Sequence, residues 1–155
     1  MSGVGLPIAS GRRTMVSGLR ANSLAALVML VVEFGLGLGA NLYASLPATD
    51  HHRGALAAFG RAVADGPVVV SVHALLGTLL LAAGISAVVR ASLARRAPLV
   101  VAAGTALLAI IVAWGSGTRF VGTIDNGASL AMGLATGLAV LAYSVILFIT
   151  PPAGS

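Results

Sequence analysis

The chain of 155 residues contains no cysteine and no lysine, has only four acidic side chains, and is 8% charged overall. Without cysteine there are no disulfides, thiolate metal sites, iron–sulfur clusters or covalently attached c-type haem. The nine basic residues are all arginine and give a formal net charge of +5. They stand in short flanks beside apolar runs and make no basic face of the kind nucleic acid requires, so topology is the role the sequence gives them. Also missing are a nucleophile elbow, a phosphate-binding glycine loop, an H-E-x-x-H pair and paired carboxylates. The sequence therefore reads as a non-enzyme without a metal site.

What is present is apolar: 58% hydrophobic residues and a mean hydropathy of +1.03, too high for a soluble domain of this length. Four long runs stand out, at 24–46, 67–89, 98–116 and 127–150, each bounded by Pro, Gly, Asn or Arg punctuation. They are too long and too continuously apolar for the roughly ten-residue alternating strands of a barrel. The expectation is an all-α fold, a four-transmembrane-helix bundle running up-down-up-down. A polar leader (1–23) precedes the single membrane domain (24–150), and a short tail (151–155) follows it. Arg12-Arg13 ahead of an apolar run has the look of a twin-arginine signal. The run is longer than a signal core, contains Glu33 and lacks a small-x-small cleavage site, so it reads as a retained span.

Arginines split six to three between the two sides of such a bundle. Arg12, Arg13, Arg20, Arg90, Arg95 and Arg96 fall on one side, and Arg53, Arg61 and Arg119 on the other. This bias predicts cytoplasmic termini and an inner-membrane, multi-pass protein, in a bacterium by its alanine-rich, all-arginine composition. Between the first two spans, Leu56, Phe59 and Val63 recur at helical spacing. The segment 54–64 reads equally as a helix lying on the membrane surface or as a partly ordered loop.

Glu33, in the middle of the first span, needs company, because a carboxylate near the bilayer centre costs at least a few kcal/mol unless neutralised or paired. Counting depth from the span ends places Tyr143 and Thr105 in its layer, and a hydrogen bond to either would keep the acid neutral and buried. Asn41, His73, Trp114, Ser129 and Met132 converge at a shallower depth, with Arg119 and Asp125 in the connection above them. Residues 33, 37 and 41 share one helical stripe, so the expected picture is an outward-opening polar pocket over a deeper carboxylate. The small-residue pairs Gly35/Gly39 and Gly133/Gly137 read first as packing within the bundle and second as a dimer contact.

His73 is the only histidine inside a span, and Gly77 four residues on would leave room beside the ring for a flat ligand such as haem or a quinone. Hydrogen bonding to Asn41, Ser129 or a backbone carbonyl is the plainer expectation. Haem would need Met132 as its second axial ligand, so no cofactor is expected in the first instance. Asp50-His51-His52 in the connecting loop is too few ligands in too loose a setting for a metal site.

The motifs E-x-x-x-G-x-x-x-N, V-H-A-L-L-G, G-S-G-T-R-F and D-N-G-A-S-L-A-M resemble those of small four-helix bacterial membrane proteins, over roughly residues 24 to 148, a resemblance that implies no particular activity. In helix number and in its first-span glutamate the chain is also similar to the small multidrug-resistance transporters. It differs from them in its 20-residue connection after the first span and in the sequence V-V-E-F-G around the acid. The expected function is an accessory or small-ligand-binding component of the membrane, with the lipid bilayer, a second copy or a larger membrane complex as partners. The runner-up is a dimeric proton-coupled exporter acting through Glu33. The third reading is a redox subunit carrying haem or a quinone at His73.

Overall fold

A computed structural model of the protein describes residues 7–43, 54–123 and 125–150. Five helices occupy them: α1 Pro7–Tyr43, α2 Ala55–Asp65, α3 Val68–Ala94, α4 Ala97–Thr123 and α5 Asn126–Ile149. Four of these (all but α2) are long and apolar enough to cross a membrane. The all-α four-helix bundle expected from the sequence is the observed architecture. α1 packs beside α3 and α5, and α4 beside α3 and α5, so that α1 and α4 face each other across the bundle. The start of α1, the end of α5 and the α3–α4 turn lie at one end, here the terminal end; α2 and the α4–α5 turn lie at the other, the loop end.

The buried residues explain why these helices associate. They step along each helix by alternating threes and fours: Leu19, Ser23, Ala26, Leu30 and Glu33 on α1; Leu80, Gly84, Ala87, Ala91 and Ala94 on α3; Leu99, Ala103, Ala106 and Ile110 on α4; and Ala135, Ala139, Ala142 and Ile146 on α5. A heptad repeat of this kind is the seam of a left-handed bundle. Half of these residues are alanine, which lets backbones approach closely. The bulky side chains point the other way: Val28, Leu75, Leu108, Leu138 and Leu141 are exposed, and Phe148 is 90% exposed. Small inside and large outside reverses the order of a soluble core and suits a bundle whose solvent is lipid.

At the terminal end the bundle is pinned by polar contacts. Arg20 Nη1 donates to the carbonyls of Leu147 (2.9 Å) and Thr150 (2.6 Å) at the last turn of α5, where Leu147 O otherwise accepts only from Thr150 Oγ1 at 3.4 Å. Asn22 Nδ2 donates to Ala83 O (3.0 Å), and the Arg90 guanidinium packs over Gly18, where a Cβ would collide with Nη1. Arg95, in the left-handed region at φ 53, makes the tight turn between α3 and α4. At the loop end the Asp125 carboxylate caps α5 by accepting from Gly127 N (2.9 Å) and pairs in the open with Arg119 (3.5 Å).

Several boundaries differ from the sequence reading, and α3 runs on to Ala94, beyond the expected end at Val89. α1 begins at Pro7, so most of the expected leader is helix. α4 runs on to Thr123, beyond the expected end at Ser116, because Gly115 and Gly117 are accommodated within the helix and Thr118 Oγ1 bonds back to Gly115 O (2.8 Å). Finally, Ala55–Asp65 is the helix α2, so the loop reading of 54–64 does not hold. Asp50, His51, His52 and the 151–155 tail lie outside the described residues.

Candidate functional site

The terminal half of the bundle is filled. Tyr143, 0% exposed, occupies its centre among Leu19, Leu99, Ile146 and the seam alanines. In the loop half the same heptad positions continue as Gly37 on α1, His73 and Gly77 on α3, Ala113 and Gly117 on α4, and Met132 on α5, but none of these is fully buried. They line a cavity of about 180 Å³. Seam positions occupied by glycine and alanine leave the volume open, whereas Tyr143 fills it below.

Glu33 and His73 meet in this cavity wall. Glu33 Oε1 lies 3.1 Å from His73 Nδ1, and Glu33 is only 8% exposed. The contact is an ion pair by distance but off the line of a hydrogen bond, and Glu33 Oε2 has no protein partner. Each member of the pair sits over a glycine of the opposite helix. A Cβ at Gly77 would stand 3.0 Å from Glu33 Oε1, and a Cβ at Gly37 would stand 3.1 Å from His73 Cε1. E-x-x-x-G on α1 and H-x-x-x-G on the antiparallel α3 therefore interlock, each long side chain filling the gap the other helix leaves.

Aromatic residues form much of the remaining wall. Of the chain's four phenylalanines, two tyrosines and one tryptophan, Phe34, Phe59, Phe120 and Trp114 line the cavity. Phe59 comes from α2, whose ring lies 5.5 Å from that of Trp114, centroid to centroid, and tilted by 57°. Ser71 Oγ, donating to Val63 O (2.7 Å), holds α2 against the start of α3. The hydroxyls of Thr118 and Thr136 are spent on carbonyls of their own helices, at Gly115 and Met132. Among the described residues, the buried polar atoms left without a hydrogen-bond partner around the cavity are Glu33 Oε2, an acceptor, Trp114 Nε1, a donor, and His73 Nδ1.

The structure gathers Glu33, His73, Trp114, Ser129 and Met132 around one space. It does not bring Tyr143 or Thr105 to Glu33. The Tyr143 hydroxyl is buried without a hydrogen-bond partner in the filled half, and neither residue lines the cavity. The expected carboxylate contacts are therefore replaced by His73, and His73 takes Glu33 where Asn41, Ser129 or a carbonyl had been expected. The Asn41 side chain lies outside the described residues. Arg119 and Asp125 pair with each other at the rim.

The reason for the error is axial register. Depth counting aligned Leu24 with the end of the fourth span, but Arg20 is the residue that reaches Leu147 and Thr150. α1 is thus set about four or five residues, roughly 6–8 Å, further toward the loop end than assumed. That one slide carries Glu33 past Tyr143 and into line with His73. The signal available in the sequence was the mirror-image spacing of E-x-x-x-G and H-x-x-x-G on consecutive antiparallel spans.

A volume near 180 Å³ is close to that of an engineered cavity of about 150 Å³ that accepts benzene. It holds one ring and its substituents. His73 and Met132 both line it. Among the described residues, no three His, Cys, Asp or Glu side chains gather in a group that could hold a metal ion. No family model, curated protein or solved structure matches the chain.

Proposed function

We propose that this small membrane protein binds a compact, largely apolar molecule of about one ring, whose polar group docks on the Glu33–His73 pair. The observation that carries this reading is the pairing itself. Two ionisable side chains meet inside an apolar cavity and leave one carboxylate oxygen facing no protein donor. An intramembrane carboxylate kept in that state is costly, and a ligand or proton at Oε2 offsets the cost. With both termini cytoplasmic, as the arginine bias has it, the cavity end faces outward beneath α2. The protein acts in this reading as a binding component and not as an enzyme.

Trp114 is the only tryptophan and lines the cavity, so its fluorescence reports occupancy. Bromobenzene, a one-ring heavy-atom quencher, should quench it saturably in detergent, and Ala113→Phe, which fills the cavity, should abolish the saturable phase. Quenching that rises only linearly with bromobenzene and is indifferent to Ala113→Phe would refute the reading.

A second reading, a dimeric exporter using the same pair, is favoured by one observation: Gly137 on α5 is exposed and has nothing within 4 Å of a Cβ position. Sedimentation in detergent decides it. A dimer lost in Gly137→Leu supports the exporter, and a monomer at all concentrations removes it.

A further inference from the structure

We infer that the polar group recognised in the cavity is a neutral hydroxyl on an aromatic ring, so that the ligand is a phenol, and that Trp114 on α4 is its second anchor. This rests on the binding function proposed above and names its ligand class. The observation that carries it is a convergence over Gly77. A Cβ at that glycine would stand 3.0 Å from Glu33 Oε1 and 3.7 Å from Trp114 Cδ1, the carbon bonded to the indole Nε1. The carboxyl group from α1 and the N–H edge of the indole from α4 thus flank one residue of α3. Glu33 Oε2 and Trp114 Nε1 are both buried without a hydrogen-bond partner, while His73 Nδ1 is already set against Oε1 at 3.1 Å. An acceptor and a donor left open on either side of one glycine are joined by a single group that can do both.

The ligand chemistry follows by elimination. An ammonium head has donors only and would leave the indole N–H unmet. A carboxylate, ketone or ether accepts only and would set its oxygen against that of Glu33. A hydroxyl accepts from Trp114 Nε1–H and donates to Glu33 from one atom, and a carboxyl group offers it an acceptor oxygen in either protonation state. The last torsion of a glutamate is broad, so the carboxyl turns toward such a group at little cost. The rest of the wall selects the body that carries the hydroxyl. Phe34, Phe59 and Phe120 present ring faces and edges to an aromatic ring, and a cavity of about 180 Å³ holds one such ring. In a membrane interior no bulk water competes for the open donor and acceptor, so a ligand that satisfies both is favoured over an apolar ring of the same size.

The test titrates three heavy-atom quenchers of nearly equal size, para-bromophenol, para-bromotoluene and para-bromoanisole, into the full-length protein in mild detergent and reads the fluorescence of its sole tryptophan. Each Kd is referred to the concentration inside the micelle, because the three partition differently. The phenol should bind at least about tenfold more tightly than the toluene, whose methyl fills the same space without a hydrogen bond, and than the anisole, whose oxygen accepts but cannot donate. In isotopically labelled protein the single indole N–H resonance should move downfield with the phenol and not with the toluene, a signature of donation by Trp114 that packing alone does not produce. Glu33→Leu should lower the affinity for the phenol to that for the toluene, whose saturable quenching shows that the variant is folded. If the toluene or the anisole binds as tightly as the phenol, or the indole resonance does not move, the phenol assignment is overturned and the one-ring binding site stands. If none of the three quenches saturably, both fall.

Discussion

The Glu33 carboxylate occupies the space left by the missing side chain of Gly77: Oε1 stands 3.0 Å from where a Cβ on that residue would be. The relation is reciprocated by His73 over Gly37, so α1 and α3 lock at two points one helical turn apart. Neither helix buries its polar residue in its own groove. Each relies on a glycine of the other, and the consequence is that position 77 controls an interaction made by residues 33 and 73.

Gly77→Leu is accordingly expected to destabilise the bundle by about 1–3 kcal/mol, the usual range for an overpacked contact. Gly35→Leu, at a position with nothing within 4 Å of a Cβ, should change stability much less. Unfolding in mixed micelles measures both, and equal effects would show that the interlock is not what Gly77 provides.

A double-mutant cycle of Glu33→Gln and His73→Gln should give a coupling energy of about 1–2 kcal/mol, near the upper end of measured polar pairs between membrane helices. Additive single effects would mean that the 3.1 Å approach contributes no stability.

Removing the guanidinium in Arg20→Ala should free the last turn of α5, since Thr150 O loses its donor and Leu147 O keeps only the 3.4 Å bond from Thr150 Oγ1. A loss of about 1–2 kcal/mol and faster amide exchange confined to the end of α5 are expected. Faster exchange throughout the bundle would point instead to a lost register.

Phe59→Ala takes away the ring that lies on Trp114. Emission from the sole tryptophan should shift to the red, and bromobenzene should associate faster through the opened loop end. An unchanged spectrum would place the cavity entrance away from α2.

The absence of cysteine makes topology directly measurable with single cysteines. In intact cells a membrane-impermeant maleimide should label Asn126→Cys, and should label Ala97→Cys only after permeabilisation. The reverse pattern would overturn the orientation drawn from the arginine bias.

Much of this protein was determined by sequence alone. Apolar runs of this length must form helices in lipid, because unpaired backbone groups are too costly there, and this set the four spans and the bundle. The residue types also placed His73, Trp114 and Met132 in the half of the bundle that holds the cavity, since polar or polarisable groups within apolar runs are few enough to single out, while Glu33 was set a layer too deep. Pairing was a different matter. Which residue meets Glu33 depends on axial register, and apolar helices slide past one another at little cost until specific contacts stop them. Those contacts, Arg20 on the end of α5, Asn22 on Ala83 and Arg90 over Gly18, exist only once three helices are assembled. The tertiary structure therefore decided that the acid faces a histidine and not a tyrosine. It also decided that glycines on the bundle seam leave a cavity beside the pair, because an empty volume is a property of several packed helices together and of no single one of them.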